Sequence, residues 1–302
     1  MKAMKTAIGA VATLLLFWCS QGAAAPFSEL VVFGDSLSDD GAYYISELDD
    51  LVPDYRYYYN GRFSNGPVWA EYLSDANRLN VPLTDWALGG AQTGGLTPPG
   101  LTEQVLLYTL TEGPPSADAL FAIWIGGNDY LNGSGDVQAA IGNIRDALDE
   151  LAQFGTRHLL VLNLPDLGVI PKKLGDSDAG LATEFSVQFN AGLAAMLDEF
   201  ATANPQIEIY EFDVYSFYIL VRSDPMAYGF NNVTEPSPNF DVENNFDNSA
   251  GHVFWDDLHP TTEMHVLVAD NVFAVLNAQP GEGSDDDSDS SSCFIGSVAG
   301  DM

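Results

Sequence analysis

Short apolar runs recur along the chain, each stopped by a glycine or a polar residue. Leu30-Val31-Val32-Phe33 ends at Gly34; similar runs occupy Leu120 to Ile125 and Leu159 to Leu162, with a weaker one from Ile207 to Tyr210. Their length and their content of branched and large apolar residues predict buried strands. Between them the period lengthens. From Val137 to Phe154, Ala140, Ile144, Ala147, Leu148 and Leu151 recur at three- and four-residue intervals, which predicts an amphipathic helix; Leu181 to Ala203 and Thr261 to Leu276 read the same way. Strands that alternate with helices predict an α/β fold with a mostly parallel sheet covered on both faces. Ligands of such sheets bind at the carboxyl ends of the strands.

The ends of the chain break this pattern. Lys2 and Lys5 precede an apolar run from Ala7 to Trp18 and then Gln21-Gly22-Ala23-Ala24-Ala25, the outline of a secretory signal peptide over residues 1–24, with cleavage expected after Ala24. The apolar run is shorter than the roughly 20 residues a membrane span needs. Cys19 leaves with that leader, and Cys293 is then the one remaining cysteine, so an exported domain has to be held by core packing without an internal disulfide. Residues 281–292 turn abruptly to Gly, Ser and Asp and lack the apolar content to order themselves. The expected folded domain covers 25–278 and the expected disordered tail 279–302, in which Cys293 could mark a processing or attachment signal. The expected location is secreted, periplasmic or at the cell surface of a bacterium.

Charge narrows the function classes. The net charge is −33, and −35 without Lys2 and Lys5. So acidic a surface repels phosphate backbones and excludes nucleic acid as a partner. It disfavours anionic membrane surfaces for the same reason.

Four segments at the ends of predicted elements carry residue types that acyl transfer needs: Ser36 after the first strand, Gly89-Gly90, Gly126-Gly127-Asn128-Asp129 after the strand at Leu120, and Asp256-Asp257-Leu258-His259 before the last helix. A serine hydroxyl needs a base to take its proton, a histidine suits that task near neutral pH, and a carboxylate must hold the imidazole in one tautomer. Backbone N–H groups of glycines and an Asn amide can stabilise the developing oxyanion. Each residue also has a structural reading: Ser36 and Asn128 as turn residues, Asp256 as a helix cap with Asp257 as the orienting acid, and Asp35 as a brace of the serine loop. His158, at the start of a strand, His265, inside a helix, and His252, in a loop, compete with His259. No metal-ligand spacing, no Gly-rich phosphate cradle and no G-x-S-x-G elbow is present in the sequence, so no metal and no cofactor is expected. Asn132-Gly133-Ser134 and Asn232-Val233-Thr234 fit glycosylation sequons.

These blocks resemble the GDSL or SGNH hydrolase family, in its lipase and phospholipase-like branch. The resemblance rests on Phe33-Gly34-Asp35-Ser36-Leu37-Ser38-Asp39, Asn60-Gly61-Arg62-Phe63-Ser64-Asn65-Gly66-Pro67-Val68-Trp69, Gly89-Gly90-Ala91, Gly126-Gly127-Asn128-Asp129 and Asp256-Asp257-Leu258-His259-Pro260-Thr261, in that order. It implies a three-layer α/β/α sandwich of flavodoxin-like topology. It also implies Ser36 as nucleophile, His259 as base, Asp256 as its orienting acid, and an oxyanion hole from Ser36, Gly90 and Asn128. The implied activity is hydrolysis of carboxylic esters, with a lipid or phospholipid as acyl donor and transient contact with a lipid surface. A carbohydrate acetylesterase or an acyltransferase would use the same site, and a non-catalytic binding protein would keep the fold alone. The chain departs from the resemblance at Asp39-Asp40-Gly41-Ala42, where Asn is frequent, and at Gln92, which reads as an insertion.

Overall fold

The computed structural model describes residues 27–41, 53–133, 135–247 and 249–278. The expected leader, its cleavage site, the acidic tail and Cys293 lie outside the described residues. In chain order the elements are β1 (Glu29–Gly34), α1 (Trp69–Ser74), β2 (Leu83–Asp85), α2 (Leu101–Thr111), β3 (Ala119–Trp124), α3 (Gly127–Leu131), α4 (Val137–Phe154), β4 (His158–Leu162), α5 (Ala179–Ala203), β5 (Glu208–Phe212), α6 (Val214–Ser223), β6 (Asn232–Pro236), β7 (His252–Phe254) and α7 (Thr262–Asn277). His252, expected in a loop, starts β7.

β1, β3 and β4 are buried on both faces, and for that reason they read in the sequence as unbroken apolar runs. They form the centre of a five-stranded sheet in the order β2-β1-β3-β4-β5, every pairing of which is parallel. Parallel neighbours need right-handed crossovers, so α2, α4 and α5 cover one face, and α1 and α7 pack together on the other. This is a three-layer α/β/α sandwich. α4 is set by Asp136, whose side chain accepts from the Ala139 N–H, and stops at Gly155 in the left-handed region. β6 and β7 pair separately and in parallel.

The strand order locates the site. From β1 the chain goes to one side, to β2, and then crosses to β3 on the other, so the loops after β1 and β3 diverge and leave a crevice between their carboxyl ends. Ser36 follows β1 and Asn128 follows β3.

Candidate active site

The loop after β1 is clamped from both layers. From α2, the buried Gln104 side chain accepts from the Gly34 N–H (3.0 Å) and donates to the Gly34 carbonyl (2.9 Å), pairing with the end of the strand as a neighbouring strand would. From α1, the Trp69 indole N–H donates to Ser38 Oγ at 3.0 Å. Within the loop, Asp35 Oδ1 accepts from the Leu37 N–H, while the backbone N–H groups of Ser38 and Asp39 turn back to the Asp35 carbonyl. Ser36 is thereby held at the tip of a tight turn, 6% exposed.

The opposing loop is built by β7 and α7. Asp256 Oδ1 accepts from the N–H groups of Leu258 (2.7 Å) and His259 (2.5 Å), which curls the segment so that Oδ2 meets His259 Nδ1 at 2.7 Å. His259 Nε2 lies 2.9 Å from Ser36 Oγ. With its proton on Nδ1 donated to the carboxylate, the imidazole presents a lone pair to the serine hydroxyl. Asp257 is exposed and its carbonyl accepts the Lys172 N–H, so of the two adjacent aspartates it is Asp256 that meets the ring. His265 is fully buried on α7, His158 starts β4, and neither touches Ser36.

Asp256 also accepts a hydrogen bond from the Tyr58 hydroxyl, at 2.5 Å from Oδ2. Burial pulls its pKa upward, but the facing His259 and the convergent donors outweigh that and hold it down at about 2. The segment from Tyr57 to Trp69 is a scaffold for this loop: the Tyr57 carbonyl accepts from the Trp255 indole, Ser64 Oγ donates to the Pro260 carbonyl, and Asn65 Oδ1 accepts the Thr262 N–H at the start of α7. The Phe63 ring packs 5.0 Å from that of His259.

The third part lies between the β2–α2 loop and α3. Gly126, at φ +118°, turns the chain into α3 where a Cβ would meet the Phe189 ring at 2.5 Å, and so aims Asn128 at the crevice. Asn128 Nδ2 donates to the Ala91 carbonyl (3.0 Å) and, at 3.4 Å, to Asp35 Oδ2. The two loops are tied by Thr93, which donates through both N–H and hydroxyl to the Asp129 carboxylate, and by Gln92 Nε2, which donates to the Asn128 carbonyl. Gln92 is thus the strap between the loops.

Gly89 and Gly90 differ in what their N–H groups do. Gly89 donates to Asp39 Oδ2 at 2.8 Å, whereas Gly90, at φ +78°, and Ser36 have backbone N–H groups with no acceptor among the described residues. Asp39 holds the glycine loop with one carboxylate oxygen and accepts the Gly41 N–H with the other. Burial raises the pKa of Asp35 to about 7 and that of Asp39 to about 6, and drives that of Asp85 well above its ordinary value. Sequence reasoning missed Tyr58, Gln104 and Asp39 as supports of the site.

A pocket starts at this constellation. Asp35, Ser36, Asn128 and His259 form its polar end, and the rest of its wall is almost wholly apolar: Trp124, Leu131, Leu164, Leu167, Ile170, Val214, Tyr218, Phe254, Met264 and Val268 among others. The two other polar groups named there are engaged elsewhere: the Tyr218 hydroxyl donates to the Val233 carbonyl and the Trp124 indole N–H to the Asn163 carbonyl.

A parallel α/β/α sandwich with a Ser-His-Asp chain at its switch point defines a serine hydrolase of the α/β/α class. The chain belongs to the GDSL-like Lipase/Acylhydrolase family, whose model matches residues 30–272, and is a serine ester hydrolase. It is 28% identical over 290 residues to the thermolabile hemolysin of Vibrio parahaemolyticus, covering 86% of this chain and 67% of that one. It is 26% identical over 310 residues to the phosphatidylcholine-sterol acyltransferase of Aeromonas hydrophila, covering 84% of this chain and 91% of that one. Among solved structures, Est24, a carbohydrate acetylesterase from Sinorhizobium meliloti, aligns with a TM-score of 0.47 at 16% identity, over 82% of this chain and 99% of that one.

Proposed function

We propose that this protein is an exported lipid-ester hydrolase that works through an acyl-enzyme on Ser36. The observation that carries the substrate class is the apolar pocket whose polar end is Ser36 and His259. A short polar acyl group gains nothing from such a wall, whereas a fatty acyl chain is stabilised by about 0.8 kcal/mol per buried methylene. The names of the hemolysin and phosphatidylcholine-sterol acyltransferase relatives support the same class. Export is supported by the leader-like pattern of residues 1–24.

In the mechanism, His259 Nε2 takes the Ser36 proton as Oγ attacks the ester carbonyl, across the 2.9 Å already set between them. The imidazolium is stabilised by Asp256, which stays ionised because its pKa is held at about 2. The oxyanion is received by the free N–H groups of Ser36 and Gly90 and by the Asn128 amide, one N–H of which stays on the Ala91 carbonyl while the other exchanges its 3.4 Å contact with Asp35 for the oxyanion. His259 then passes its proton to the leaving alkoxide, and water repeats the sequence on the acyl-Ser36 ester. An alcohol in place of that water would give acyl transfer, a second reading that the Aeromonas relative favours.

The test is a panel of phospholipids, triglycerides and acetylated sugars, together with organophosphate labelling. Turnover of the lipids and a label on Ser36 are expected. Turnover confined to acetylated sugars would overturn the substrate class, and an unlabelled Ser36 would overturn the nucleophile.

A further inference from the structure

Two helices show how far the pocket extends from Ser36. α7 begins at Thr262, directly after the His259 loop, and presents Met264 and then Val268 to the pocket on successive turns. α6 presents Val214 and then Tyr218 in the same way. The next residues down the same helix faces, Val221 and Val272, are fully buried in the core and do not reach the pocket. The wall therefore stops at the level of Tyr218 and Val268. Tyr218 is fixed there: its hydroxyl donates to the Val233 carbonyl at 3.2 Å, and its ring stands edge-on to Phe254 with centroids 5.8 Å apart.

We propose that Tyr218 and Val268 form the floor of an acyl-chain pocket and set the longest acyl group that the enzyme accepts in full. The proposal rests on the reading of Ser36 as the acylated residue. From Thr262 to Val268 the helix rises about 9 Å at 1.5 Å per residue. At roughly 1.25 Å of advance per carbon, as set by ~1.5 Å bonds in an extended chain, that depth holds about seven carbons. Each methylene added up to that length is buried against the wall and raises kcat/KM; the first beyond it meets Val268 and Tyr218, both 3% exposed or less, in a core that cannot yield without cost.

The experiment is a series of nitrophenyl esters from acetate to palmitate on the parent enzyme and on Val268→Trp and Val268→Ala. The parent should show a maximum of kcat/KM at medium chain length. Val268→Trp should move it to shorter chains, with tenfold or greater loss at the parent optimum relative to acetate; Val268→Ala should move it to longer ones. Should the tryptophan variant fail to fold, the alanine arm decides. Folded variants that keep the parent profile would overturn the floor while leaving the esterase reading intact. A parent that turns over no ester, with Ser36 unlabelled, would overturn both.

Discussion

The Tyr58 hydroxyl and the Asp256 carboxylate are 2.5 Å apart across a sequence separation of 198 residues, on the same oxygen that faces His259 Nδ1. A hydrogen bond to a charged group contributes about 1.5–3 kcal/mol. Part of that is felt at the imidazole that Asp256 orients. Tyr58→Phe should lower kcat roughly tenfold with KM little changed, since 1.36 kcal/mol is a factor of ten in rate. Steady-state kinetics on one soluble ester checks it, and a kcat within twofold of the parent would remove Tyr58 from the relay.

Ser36→Ala and His259→Ala should each cost about 10⁴-fold or more in kcat, and the double variant little beyond either, because the two act as one unit. Asn128→Ala should cost on the order of a hundredfold. Single-turnover rates on the three single variants and the double variant would show it. Additive losses in the Ser36/His259 pair would contradict the shared role.

Gln104 pins Gly34 from a different layer, with both its amide atoms buried. Gln104→Leu leaves the Gly34 N–H and carbonyl without those partners and should destabilise the fold by about 1–3 kcal/mol. Denaturant unfolding reads this directly. A variant as stable as the parent would mean that the clamp contributes nothing to folding.

Stability should rise as pH falls from 8 toward 5. Asp35 and Asp39, at about 7 and about 6, and the strongly raised Asp85 bind protons in the folded state over a range where the unfolded chain has already released them. Protonation over that window therefore favours the fold. Asp256 works the other way: its depressed pKa gives stability that is present above about 4 and lost as pH falls toward 2. Calorimetry across pH 3 to 8 should find the highest Tm between about 4 and 5.5; a Tm that climbs steadily to pH 8 would contradict this.

What the sequence made legible follows from where information is local. The central strands and α4 were readable because burial on two faces gives unbroken apolar runs and burial on one gives a helical period; α4 spans the expected residues 137–154. β2 was not, since two half-covered residues and a buried aspartate at a sheet edge carry no such run. α2 was hidden by exposed Leu106, Leu107 and Leu110, which blur its apolar face. In the site, Ser36, Asn128, Asp256 and His259 announced themselves by chemistry next to element ends. Tyr58, Gln104 and Asp39 could not, because each gains its role from a partner 50 to 198 residues away.

The separation of 223 positions between Ser36 and His259 has a consequence for biosynthesis. A chain made from its N-terminus carries the hydroxyl long before the imidazole is added, so each nascent molecule holds a serine without the ring that faces it until the His259 loop has docked. Truncation anywhere before Asp256 removes both the imidazole that faces Ser36 and the carboxylate behind that imidazole.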